Sequence, residues 1–264
     1  MSRQPNLMTS SYSTIFVELQ KNTARISLNN PPLNVITPVM MDELIQVLAE
    51  IEANPEISVI LIEGKGSAFS AGVSIAAHTA DNIEMMLTKF HTVIRALISS
   101  KKITVAKVRG TCLGGAAELA MVCDLVYTGK SARWAFPEIS LGCYPPVACT
   151  ALAALIGQKR AAELILTGRT LSGTEVGNIG LVTRMVADYK LEATIKGVLA
   201  QLAKYSPSSL GITKKAIYAW DSIHFDKGLA RAEKIYLEEL MKTADAQEGI
   251  SAFLQKRPPR WTGR

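Results

Sequence analysis

In Arg109-Gly-Thr-Cys-Leu-Gly-Gly-Ala-Ala-Glu-Leu-Ala-Met-Val-Cys-Asp124 a glycine pair opens a helix, and Glu118 is the sole charge between Thr111 and Cys123. A carboxylate in apolar surroundings is disfavoured as an anion, so its pKa rises toward the range where it can carry protons at neutral pH. Twenty residues on, Trp134-Ala-Phe-Pro-Glu138-Ile-Ser-Leu-Gly-Cys-Tyr-Pro-Pro146 sets a second acid, Glu138, in an equally uncharged stretch. Each acid alone reads equally well as a satisfied structural carboxylate. The same ambiguity holds for the two glycine-bearing strand-to-helix junctions, Ser70-Ala-Gly-Val73 and Leu113-Gly-Gly-Ala116. They are either plain turns or close-approach sites whose backbone N–H groups hold a developing oxyanion.

Working outward, strand and helix alternate. Ile15–Leu19 and Thr23–Leu28 read as strands around the turn Gln20-Lys21-Asn22. Pro38–Ile51 has helical apolar spacing, with Thr37 as N-cap and Pro38 at the first helical position. Strands follow at Val59–Glu63, Thr104–Val108, Leu125–Thr128 and Leu181–Val186. Helices follow at Ile83–Ile98, Gly114–Met121, Cys149–Leu155, Lys159–Thr167 and Thr174–Gly180. From Leu191 the pattern is almost wholly helical, with a break at Ser206-Pro207. The expectation is an α/β layered core with parallel strands over 14–200, a helical C-terminal region over 201–264, and a disordered or extended tail over 1–13.

Composition narrows the function. The 264 residues are 48% hydrophobic, ample for one sizeable core, and no apolar run is long enough to span a bilayer. The polar opening residues lack the apolar stretch of a signal peptide, so a cytoplasmic protein is expected, with no membrane partner. Cys112, Cys123, Cys143 and Cys149 show no CxxC spacing and read as free, buried thiols. His78, His91 and His224 form no metal-ligand pattern, so no metal is expected. The net charge of +6 is dispersed, and with 6% aromatic residues and no stacking motif it favours a small phosphorylated ligand over nucleic acid.

Taken together, Phe69-Ser-Ala-Gly-Val-Ser-Ile75, the stretch from Arg109 to Asp124, and Phe136-Pro-Glu-Ile-Ser-Leu-Gly142 resemble the crotonase (enoyl-CoA hydratase/isomerase) superfamily in order and spacing. Leu28-Asn-Asn-Pro-Pro-Leu-Asn34 resembles the family's first loop, Leu166–Val182 its post-core segment, and Ala252–Trp261 its C-terminal ending, so the resemblance covers residues 14–261. It implies a spiral of repeated ββα units, a helical C-terminal trimerisation region, and trimers usually paired into hexamers. It also implies an acyl-CoA thioester substrate with no other cofactor. The Val73 and Gly115 N–H groups would form the oxyanion hole, and Glu118 and Glu138 would be the catalytic acids. Keeping both acids favours hydration, but which one is protonated at rest stays open.

Two departures reshape the expected acyl pocket. Ser74 stands where the family commonly has Asp. Cys143-Tyr-Pro-Pro-Val-Ala-Cys-Thr150 replaces a glycine-rich stretch. Val73–His78, Pro137–Ala148 and Tyr236–Gly249 resemble the branch of cyclohexa-1,5-diene-1-carbonyl-CoA hydratases, which implies a cyclic dienoyl thioester. The expected substrate-binding set is Ala71, Gly72, Ser74, Ile75, Gly114, Tyr144, His78, Lys256 and Arg257. Tyr144 reads as a ring contact or as packing, His78 as a pocket or solvated residue, and Lys256 and Arg257 as CoA-phosphate ligands or a solvated tail. The rival functions are a general 2-enoyl-CoA hydratase or isomerase, another crotonase-fold chemistry such as ring hydrolysis or decarboxylation, and a non-enzymatic RNA- or CoA-binding member.

Overall fold

The turn at Gln20-Lys21-Asn22 forms as the sequence predicts, with Lys21 at a φ of 54°. It joins β1 (Ile15–Gln20) to β2 (Thr23–Leu28) in an antiparallel pair. The computed structural model describes residues 12–218 and 221–263. Residues 1–11 of the expected 1–13 tail and the side chain of His224 lie outside the described residues. Thr37 caps α1 (Pro38–Ala53), its Oγ1 accepting the Met40 N–H at 3.2 Å. The helix buries the stripe Met40, Leu44, Val47, Leu48 and Ile51. Then come β3 (Val59–Gly64), α2 (Ile83–Ser99), β4 (Ile103–Val108), β5 (Thr111–Leu113) and α3 (Gly115–Met121). They are followed by β6 (Leu125–Gly129), β7 (Arg133–Ala135), α4 (Pro146–Ile156), α5 (Gln158–Thr167) and β8 (Leu171–Ser172). The chain continues through α6 (Gly173–Asn178), β9 (Arg184–Val186), α7 (Leu191–Leu202), α8 (Pro207–Tyr218), α9 (Asp221–Glu238) and α10 (Ala244–Leu254).

The main sheet runs β1-β2-β3-β4-β6-β9, parallel beyond the opening hairpin. One face packs on α1 and α2 within the large core, and the other, carrying Val59, Leu61, Val105 and Tyr127, packs on α7. A second sheet, β5-β7-β8, stands apart from it. Its members are two or three residues long and carry no alternation a sequence reading can detect, so they were absent from the expected elements. Two boundaries also move. α4 begins at Pro146, three residues before the expected start at Cys149, because proline suits the first helical turn. The expected strand at Leu181–Val186 shortens to Arg184–Val186.

All four cysteines are free, but Cys149 is exposed, against the expectation of burial. It lies one position round α4 from the buried stripe Ala148, Leu152 and Ile156. Met86 and Leu87 are core residues while Met85 faces solvent. Among the described residues no helix is long and apolar enough to cross a membrane.

Candidate active site

Strand register builds the site. The Ser70 N–H donates to the Thr111 carbonyl at 3.0 Å and the Leu113 N–H to the Ser70 carbonyl at 3.2 Å, which lays the 70–74 loop alongside β5. β5 pairs parallel with β7, Leu113 opposite Ala135, and the Gly114 N–H extends the pairing by donating to the Ala135 carbonyl at 2.8 Å. The chain past β5 enters α3 with Glu118, and the chain past β7 enters the turn with Glu138. Two adjacent parallel strands therefore deliver the two acids to one place.

The two expected oxyanion donors are also brought together. The N–H of Ile36 donates to the Gly72 carbonyl and that of Ser74 to the Ile36 carbonyl, both at 2.9 Å. Val73, between them, turns its own N–H to the other side of the strand. Gly115 opens α3, where helical N–H groups have no partner within the helix. A Cβ on Gly115 would come within 2.6 Å of the Val73 side chain, and one on Gly72 within 3.7 Å of the Gly115 nitrogen.

The acids differ in setting. Glu118 is 3% exposed, and its Oε1 accepts the Ala148 N–H at 2.8 Å from the first turn of α4. Burial pushes its carboxyl up to about 7, while the N–H groups of Ala148 and Val147 pull the other way. Glu138 is partly exposed as a residue, yet its Oε2 is sealed from solvent and has no hydrogen-bond partner among the described residues. Burial, with the Glu118 charge added, pushes it up to about 8. The N–H groups of α4 thus favour the anion at Glu118, whereas burial and the Glu118 charge disfavour it at Glu138.

Both acids line a cavity of about 310 Å³, with Ala71, Gly72, Val73, Ile75, His78, Gly114, Gly115 and Tyr144 of the expected set. The Tyr144 hydroxyl donates to the Ala232 carbonyl at 2.6 Å, and its ring stands edge-on to Tyr236 at 5.1 Å. His78 donates from Nδ1 to the Ser74 carbonyl at 3.0 Å, and burial holds its imidazole below the usual range. Three expected residues do not line the cavity. Ser74 is engaged through its backbone. Lys256 is exposed, and Arg257 pairs with Glu248 at 2.6 Å. Sequence reasoning missed His91, Phe90 and Tyr236, which line the same cavity from α2 and α9. Their helical spacing marks them only as core. A larger cavity of about 760 Å³, between α4 and α9, is walled by residues such as Leu181, Phe225 and Ile235. Its carboxylate, Asp124, is already held by Lys214 and Thr104.

Two acids beside backbone N–H groups in one largely apolar pocket are an arrangement that can pass protons and hold a developing oxyanion. A family model described as enoyl-CoA hydratase/isomerase matches residues 18–264. Cyclohexa-1,5-dienecarbonyl-CoA hydratase of Thauera aromatica is 32% identical over 250 residues, covering 95% of this chain and 96% of that one. The 2,3-dehydroadipyl-CoA hydratase of Escherichia coli (strain K12) is 30% identical over 256 residues, covering 96% and 100%. Among solved structures, an enoyl-CoA hydratase from Mycobacterium avium subsp. paratuberculosis K-10 matches with a TM-score of 0.86 at 27% identity, covering 95% of this chain and 99% of that one. The chain belongs to the enoyl-CoA hydratase/isomerase family, has its crotonase fold, and is an enzyme of the hydratase type, a hydro-lyase.

Proposed function

We propose that this enzyme adds water to a conjugated cyclic dienoyl-CoA thioester, the substrate class being cyclohexa-1,5-diene-1-carbonyl-CoA. The observation that carries the reading is the convergence in one cavity of two acids, each pushed up by burial, with two backbone donors. Glu118, as carboxylate, takes a proton from water, and the water oxygen bonds to the carbon β to the thioester. The electron pair moves through the conjugated system to the thioester oxygen, held by the N–H groups of Val73 and Gly115. Glu138 then gives its proton to carbon, the double bond re-forms, and proton exchange between the two carboxyls restores the start. Atoms and charge balance with no cofactor, since coenzyme A enters as part of the substrate.

The cyclic acyl group is supported by the likeness to the Thauera enzyme and by the stiff wall of Tyr144, Pro145 and Pro146. Ala71, Gly72, Ile75, Gly114, His78 and Tyr144 form the rest of the acyl wall in this reading. Lys256 and Arg257 meet the CoA phosphates only in an assembly. We take that assembly to be a homotrimer or a dimer of trimers, in which exposed apolar residues such as Leu166, Ile212 and Ile217 find cover. Four free cysteines suit a cytoplasmic setting.

The test is hydration of cyclohexa-1,5-diene-1-carbonyl-CoA beside crotonyl-CoA, read by absorbance and product mass. Glu118→Gln and Glu138→Gln are each expected to lower kcat about 10²–10⁴-fold. Turnover of crotonyl-CoA alone would return the enzyme to straight-chain hydration, the chemistry to which the likeness with the 2,3-dehydroadipyl-CoA hydratase points. Unaltered rates in both Gln variants would remove the two-acid mechanism.

A further inference from the structure

Of the polar cavity-wall residues that the two-acid chemistry leaves unused, His91 carries a buried side-chain atom without a hydrogen-bond partner among the described residues. His91 lies on α2 beside Phe90, is 0% exposed, and lines the same cavity as Glu118 and Glu138. Its Nδ1 is 2.6 Å from Glu233 Oε1 on α9, and Arg95 Nη2 donates to the same oxygen at 3.0 Å. A carboxylate only accepts, so Nδ1 carries the ring proton and the tautomer is fixed. With the proton on Nδ1, Nε2 is the acceptor nitrogen of that tautomer. That Nε2, on the side of the ring away from Nδ1, is buried and has no hydrogen-bond partner among the described residues.

A buried polar atom without a partner destabilises the fold, and an apolar side chain on this stripe of α2 would remove the penalty. Glu138 Oε2 is buried and unpartnered in the same cavity, and there the partner is the reacting substrate. The same logic applied to Nε2 calls for a hydrogen-bond donor on the acyl group. The ring is also rigidly held, from α2 by its own backbone and from α9 by Glu233, as a recognition group requires.

We propose that His91 is a specificity-determining residue of the acyl cavity, its Nε2 accepting a hydrogen bond from a hydroxyl on the acyl group while Glu233 and Arg95 hold the ring. The inference deepens the CoA-thioester reading and rests on it. The hydroxyl has two sources: the one that hydration places on the β carbon, or one the acyl ring already carries elsewhere. In the first case His91 favours the hydrated product over the unsaturated substrate. In the second it selects among substrates.

The test measures dissociation constants of the full-length protein for three saturated thioesters, unsubstituted cyclohexane-1-carbonyl-CoA and its 2-hydroxy and 4-hydroxy derivatives. The wild type is expected to bind one hydroxylated ring about tenfold tighter than the unsubstituted ring. Preference for the 2-hydroxy ring assigns the hydroxyl to hydration, and preference for the 4-hydroxy ring assigns it to the substrate. His91→Leu should abolish the preference. His91→Gln, which sets an amide oxygen near the place of Nε2, should restore part of it, and Glu233→Ala should weaken it by freeing the ring. A wild-type ratio of one for both derivatives, or a preference that survives in His91→Leu, overturns the proposal. Hydration assays on the same wild-type protein report separately on the reaction, so a protein that fails to hydrate the diene but keeps the hydroxyl preference sinks that reading and leaves this one standing.

Discussion

Gly114 shows how much one missing side chain decides. Its φ is 54°, and a Cβ there would lie 2.6 Å from Glu138 Oε1. Gly114→Ala should therefore destabilise the fold by about 1–3 kcal/mol in thermal unfolding and lower kcat beyond what that loss explains, because the acid itself must move. Glu138 makes a second residue-scale prediction. Its carboxyl keeps a proton up to about pH 8, whereas in the unfolded chain the proton is lost near the ordinary value of 4.5. The folded state binds the extra proton between those values, so stability declines as pH rises through that window. Glu138→Gln removes that slope. Its melting temperature should gain on the wild type from pH 5 to pH 8, by the equivalent of on the order of 3 kcal/mol. A gap independent of pH would show that Glu138 does not hold its proton. Both acids were legible in the sequence, since a lone carboxylate in an uncharged run needs a reason. His91 was not, because a histidine on an apolar helical stripe reads as core and its partner Glu233 is 142 positions away.

At the scale of elements, the first turn of α4 separates the two acids. Its N–H groups reach Glu118 and none of them reaches Glu138, so in the proposed mechanism a helix terminus makes Glu118 the base and leaves Glu138 the acid. A base works above its pKa and an acid below it. The rate, kcat/KM against pH, should rise through about 7 with Glu118, fall through about 8 with Glu138, and peak between. A flat profile from pH 6 to 9 would remove the assignment. α1 and α2 were recoverable from apolar spacing and the Thr37 cap. The strands β5 and β7, which align the acids, were not. Their ordering comes from hydrogen bonds to distant segments, and three residues carry no period.

Across the whole molecule, the helical C-terminal region is fastened to the sheet layer by Lys214 of α8. The ammonium is 4% exposed, sits 2.9 Å from Asp124, and donates to the carbonyls of Leu97 and Lys102 at 3.2 and 3.0 Å. Lys214→Met leaves the Asp124 charge without its cation and should cost about 3–5 kcal/mol in urea unfolding, changed little by added salt. A loss below 1 kcal/mol would mean the helices dock by apolar contact alone. The sequence marked this region as helical and separate. That α9 turns back to wall the cavity with Tyr236 and to hold His91 through Glu233 depends on long-range packing that no local pattern carries.

Because the acids hang from the ends of two registered strands while another part of the cavity wall comes from α2, α9 and the turn into α4, the acids and that part of the wall rest on different parts of the scaffold. The jaws are set by hydrogen-bonded backbone, which substitutions in the helices leave in place. Descendants of such a chain can exchange that lining while the distance between the two acids stays unchanged.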